Sequence, residues 1–165
     1  MLPKCSGMKK KKKRRSKNLI GRREQISLPD LGNLSVTAKI DTGAYSSAIH
    51  CQNIVVTSGI LHFTLLSPLH PEYTGLTHST GEFIRKDIRN SFGETECRFI
   101  IKTRIRIGLR VIKSVISLTD RGTMRYPVLI GRRLLKNRFI VDVSQLNLAP
   151  LHIKTDITNL PSPLL

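Results

Sequence analysis

Tryptophan is absent from the 165 residues, and aromatics of all kinds make up only 5%, so no large aromatic cluster can anchor a core. Acids are scarce as well: 11 Asp and Glu stand against 28 Lys and Arg, a formal net charge of +17. Cysteine is limited to Cys5, Cys51 and Cys97, an odd set without close spacing, which argues against a disulfide framework and agrees with a reducing compartment. No apolar run approaches the roughly 18 residues of a membrane span. Only Leu19 and Ile20 follow the basic segment before Gly21, whereas a secretory signal needs an apolar stretch of about 7–15 residues. The expected location is therefore the cytoplasm.

Two chemistries also lack their usual spacing. There is no His-Glu-x-x-His and no Cys-x-x-Cys, and His50, His62, His70, His78 and His152 are scattered, so no metal site is expected. No Gly-x-x-x-x-Gly-Lys-Ser/Thr loop offers a cradle for ATP phosphates, and no cofactor is expected from the residues alone.

What is present suits one folded domain. Hydrophobic residues make up 39% and charged residues 24%, a globular balance for a chain of this length. Eleven of the 28 Lys and Arg fall in residues 1–23, where there is no acid, which leaves 17 bases against 11 acids in the rest. The run Lys9 to Arg15 repels itself and has no apolar partners, so residues 1–18 are expected to form a disordered basic tail. Such a tail could contact RNA or a ribosomal surface through counterion release, or be a solvated extension without a role.

The dominant period along the body is two, which indicates β structure. In Leu34, Val36, Ala38 and Ile40 apolar residues alternate with Ser35, Thr37 and Lys39, a half-buried strand that delivers Asp41 at its end. Pro29 to Asn33 is turn chemistry and joins that strand to Gln25–Leu28 as a hairpin. Phe99 to Ile107 alternates again and turns at Gly108-Leu109 into Val111 to Leu118. Phe83 to Arg89 running into Thr95 to Ile100 reads as a hairpin whose polar tip could stand out as a mobile flap. One short helix is expected, Arg132 to Asn137, followed by a return to strand at Phe139, Val141 and Val143. Residues 55 to 81, with Pro68, Pro71, Gly75 and Gly81, read as loop-rich.

The chemistry concentrates at Asp41-Thr42-Gly43-Ala44. A carboxylate at a strand end, followed by a small hydroxyl residue and glycine, can turn sharply and let another backbone approach. By itself Asp-Thr-Gly also fits an ordinary Asx turn. About 90 residues later comes Tyr126-Pro127-Val128-Leu129-Ile130-Gly131-Arg132, an apolar strand ending in glycine before a short helix.

Together these segments resemble the retropepsin pattern. With Arg89-Asn90-Ser91-Phe92-Gly93, Leu118-Thr119-Asp120-Arg121, Met124 and Phe139-Ile140-Val141-Asp142 added, the chain resembles the RimK-associated retropepsin-like family, often labelled "ATP-dependent zinc protease", over about residues 20 to 148. The resemblance implies an all-β fold: a closed acid-protease barrel with a flap hairpin and one short C-terminal helix, spanning 19–148, with 149–165 as an extension. It implies Asp41 as the catalytic acid, with Thr42, Gly43 and Ala44 supporting the loop and Leu129, Ile130 and Gly131 bracing it from a neighbouring strand. Arg89, Ser91 and Gly93 would lie in the flap.

One Asp-Thr-Gly per chain further implies a homodimer, since two close carboxylates must share a proton to act as base and acid on a polypeptide substrate. ATP dependence would reside in a partner, an ATP-grasp glutamate ligase of the RimK kind. Two other functions remain open at this point: a non-catalytic adaptor docking on RNA or a ribosome, and a zinc-dependent hydrolase with unrecognised ligands.

Overall fold

The computed structural model describes residues 16–89, 93, 95–120, 122 and 125–150. The expected disordered tail lies almost wholly outside them, and Ser91, expected in the flap, lies outside them too.

Alternation of apolar and polar residues drives most of the architecture. After β1 (Asn18–Gly21), β2 (Arg23–Leu28) and β3 (Leu34–Asp41) form the expected hairpin, with Ile26, Leu28, Val36, Ala38 and Ile40 turned inward. The chain then runs through β4 (Ser47–Thr57), β5 (Ile60–Leu65) and β6 (Thr77–Thr80) to the hairpin of β7 (Phe83–Arg89) and β8 (Thr95–Ile107). β9 (Arg110–Thr119), β10 (Val128–Gly131), a one-turn helix α1 (Arg132–Leu135) and β11 (Phe139–Asp142) complete it.

β10 pairs with β3 on one side and β4 on the other, so the path β10-β3-β2-β8-β9-β4 returns to its start and closes a barrel of six strands. Closure removes the free edges that an open sheet would expose. Inside it Ile49, Ile105, Ile116, Val128 and Ile130 are fully buried, and aliphatic side chains replace the missing aromatic core. This is the all-β, closed retropepsin-like barrel that the resemblance implied.

Residues 55 to 81 depart from the loop-rich expectation. β4 continues to Thr57, β5 pairs antiparallel with it through a register shift between Gln52 and Val55, and β6 adds a further strand. Leu61 and Phe63 alternate with Ile60 and His62, but Phe63, Thr64 and Leu65 are buried in succession, so the alternation lapses over the second half of β5.

At the opposite side, β1 pairs parallel with β11, Asn18 opposite Phe139, bringing both ends of the barrel sequence together. The corner after β1 is held by Glu24, only 1% exposed. Its Oε1 accepts the backbone N–H of Gly21 at 2.6 Å and of Leu148 at 2.9 Å, and its Oε2 accepts that of Ala149 at 3.1 Å. A buried carboxylate with three amide donors is satisfied, and here it ties residues 148–149 to the start of the domain.

Candidate active site

β3 carries Asp41 to its end and leaves the side chain half-buried. Oδ1 accepts the backbone N–H of Gly43 at 3.0 Å and of Ala44 at 3.1 Å, which turns the loop sharply. Oδ2 has no hydrogen-bond partner among the described residues. The carboxylate is thus oriented through one oxygen while the other remains available.

β10 braces this loop from beside it. It runs parallel to β3 with Ile130 opposite Ile40 and Gly131 opposite Asp41, while Leu129 pairs across to Ala48 of β4. Glycine is required at 131 for space: a Cβ there would stand 2.5 Å from the carbonyl oxygen of Ser46. The Gly131 N–H donates to the buried Ser47 Oγ at 3.1 Å, and the Ser47 carbonyl in turn accepts the Ser117 hydroxyl at 3.1 Å.

The first turn of α1 holds the loop from the other direction. The N–H groups of Arg132 and Arg133 donate to the carbonyls of Ala44 and Tyr45 at 2.9 and 3.0 Å. These are donors that a helix start leaves without internal partners, so the loop completes the helix and the helix fixes the loop. The Arg132 guanidinium reaches the Gly43 carbonyl at 3.4 Å and lies 5.7 Å from the centre of the Tyr45 ring.

The structure therefore brings Asp41, Gly43, Ala44, Ile130 and Gly131 into one assembly. Thr42 is exposed, and with Tyr45, Arg132 and Phe139 it borders an open cavity of about 530 Å³. Its hydroxyl has no partner among the described residues of its own chain. Arg89 and Gly93 stand exposed on the β7–β8 hairpin. Sequence reasoning left Arg132 and Ser47 out of the site. Arg132 was signalled by its place directly after the bracing glycine, whereas nothing in the sequence marks Ser47 as the acceptor for Gly131.

A zinc ion does not fit the residues present. His50 is buried with its ring 5.8 Å from that of His70, and its Nδ1 is 3.9 Å from Asp120. The neighbouring Cys51 is buried, and burial, helped by Asp120, pushes its thiol up, away from the thiolate form that zinc requires. No group of three His, Cys, Asp or Glu converges among the described residues.

Basic side chains frame the approach to β3. Arg22, Arg23, Lys39 and Arg125 gather round Tyr126 and Ile40. Arg23 donates to the Tyr126 hydroxyl at 2.8 Å, which fixes one of the four cations in place. No helix among the described residues is long and apolar enough to cross a membrane.

Comparison with known proteins agrees with this geometry. A family model described as RimB-like, retropepsin-like aspartic endopeptidase RimB, matches residues 19–152. A probable alpha-L-glutamate ligase of Desulfotalea psychrophila is 30% identical over 131 residues, covering 77% of this chain and 28% of that protein. Another, from Shewanella pealeana, is 31% identical over 134 residues, covering 79% of this chain and 29% of that protein. The chain thus spans less than a third of the length of these relatives. A crystal structure of a Legionella pneumophila protein of unknown function superposes with a TM-score of 0.64 at 27% identity, covering 81% of this chain and 99% of that one.

Proposed function

Because the chain belongs to the RimB-like family of retropepsin-like aspartic endopeptidases, we propose that it is one half of an aspartic peptidase whose Asp41 works with the Asp41 of a second copy. The observation that carries this is the state of the Asp41 carboxylate: one oxygen held by two amides, the other open, on a loop locked by β10 and α1. A turn that served the fold alone would not need a second strand and a helix start converging on it.

The reaction needs two such groups. Carboxylates held a few ångströms apart cannot both ionise cheaply, so the pair shares one proton. The ionised member takes a proton from water as its oxygen attacks the peptide carbonyl carbon. The protonated member gives its proton to the carbonyl oxygen. Collapse of the resulting diol breaks the C–N bond, with the amine leaving protonated.

The substrate in this reading is a polypeptide, and the basic frame of Arg22, Arg23, Lys39 and Arg125 favours an acidic one. Similarity to part of two probable alpha-L-glutamate ligases supports the same choice, since their names point to glutamate, an acidic residue. It also supports a partnership with such a ligase, in which any ATP would bind the ligase.

Mixing tests the shared dyad. Native subunits combined with an excess of Asp41→Asn subunits should lose activity on a glutamate-rich peptide as mixed dimers form, and activity per chain should fall on dilution. Constant activity per chain in a demonstrably monomeric sample, with no poisoning, would overturn the proposal.

A further inference from the structure

We propose that the open cavity between β8, β9 and α1 is a binding site for a small organic anion with an apolar body, separate from the Asp41 loop. The cavity measures about 540 Å³, within the range of sites that take small molecules. Its walls are apolar where Ile112 and Leu134 meet, both largely buried. Its rim is cationic: Lys113, Arg133 and Arg138 border it.

The charge is not cancelled from within. Asp30 is the one acid among the described residues lining the cavity, and Arg104 engages it through Nε at 2.7 Å, through its backbone N–H at 2.8 Å and through a further guanidinium contact. Arg138 is fixed in place by donating to the Leu134 carbonyl at 3.0 Å, so part of the positive field is preorganised.

A second, independent observation points to a ligand. Thr103 follows the inward alternation of Ile101 and Ile105 and is only 5% exposed, yet its hydroxyl has no hydrogen-bond partner among the described residues while it lines the cavity. A buried hydroxyl left unsatisfied is costly, and rotation of the Thr103 side chain toward a ligand's polar group would remove that cost. A cationic rim, an apolar wall and one waiting hydroxyl together describe a carboxylate or phosphate carried on a hydrophobic group. The neighbouring helix also links the cavity to the catalytic loop, since the Arg133 N–H holds the Tyr45 carbonyl.

Binding can be read without any peptidase activity, so failure here is separable from failure of the Asp41 reading. The full chain is titrated with phenyl phosphate and with benzoate, and with inorganic phosphate and phenol as their separated halves, while the methyl resonances of Thr103, Ile112 and Leu134 are followed by NMR. Saturable shifts at these methyls are expected, with one of the two amphipathic anions binding at least about tenfold more tightly than inorganic phosphate or phenol. Tighter binding of phenyl phosphate assigns a phosphate headgroup, and tighter binding of benzoate a carboxylate. Thr103→Val, nearly isosteric, should weaken binding roughly fivefold. Lys113→Gln, on the exposed rim, should weaken it and flatten its salt dependence. Inorganic phosphate binding as well as either probe, shifts that do not saturate, or affinity unchanged in both variants would overturn the site.

Discussion

Asp41 and Glu24 are both carboxylates that accept backbone amides, and the two regions built round them have opposite uses. Glu24 is buried, both of its oxygens are engaged, and three N–H groups from two distant parts of the chain converge on it. Asp41 is half-buried, two adjacent N–H groups share one oxygen, and the second oxygen faces away without a partner among the described residues. Full satisfaction makes Glu24 a clamp and removes it from chemistry. Partial satisfaction orients Asp41 and leaves one oxygen without a partner among the described residues, as the proposed chemistry needs. The difference lies in what surrounds each group, since the two acids differ by only one methylene.

Exchanging each carboxyl for its amide separates the two roles. Asp41→Asn keeps an oxygen for Gly43 and Ala44, so the fold and melting temperature should hold while peptide hydrolysis falls by on the order of 10³-fold. Glu24→Gln loses one acceptor and turns an NH₂ group toward backbone donors. It should destabilise the domain by about 3 kcal/mol, yet keep its activity at temperatures where it is folded. Activity in Asp41→Asn equal to native, or no change in melting for Glu24→Gln, would break the contrast.

Gly131→Ala tests whether the catalytic region depends on its brace. The added Cβ meets the Ser46 backbone, which is not a flexible neighbour, so one of the two strands must shift. A cost of about 2 kcal/mol in stability is expected. A loop displaced by about 1 Å should also lose roughly 10²-fold in turnover, measured on the folded fraction. A stable variant with native turnover would mean that β10 does not hold the loop.

The sequence made the candidate catalytic region legible and the clamp much less so. Alternation in residues 34–40 placed Asp41 at a strand end, and the apolar-apolar-Gly-Arg segment was matched to it across about 90 residues by resemblance. The register that sets Gly131 opposite Asp41 is local to those two strands. Glu24, by contrast, falls just outside the Gln25–Leu28 strand expected from the sequence, although in β2 it keeps phase with the buried Ile26 and Leu28. An acid beside Arg22 and Arg23 reads as solvent-facing all the same, because its partners at residues 148–149 lie 124 and 125 positions away. β5 was lost for a different reason: burial of consecutive residues removes the period of two, and Pro68 and Pro71 nearby suggest loop.

A third carboxylate, Asp30, completes the comparison at the smallest scale. It sits at the surface within the β2–β3 turn, and the Arg104 guanidinium beside it, with the Arg104 backbone N–H, holds its carboxyl below the ordinary value of 3.8. A carboxyl lowered in the folded state contributes stability that is fully present above its unfolded value and lost as pH falls through its folded value. Asp30→Asn should therefore lower the melting temperature slightly at about pH 6, and the gap to native protein should narrow as pH falls below the ordinary carboxyl value and through the lowered folded-state value. High salt should narrow the gap at the higher pH, because the pair is open to solvent. For Glu24→Gln the same salt series should change little, since that carboxylate is buried among amides. Thermal melts of both variants across pH and salt would show it. A gap for Asp30→Asn that persists unchanged at low pH would mean that Asp30 acts through its shape and not its charge.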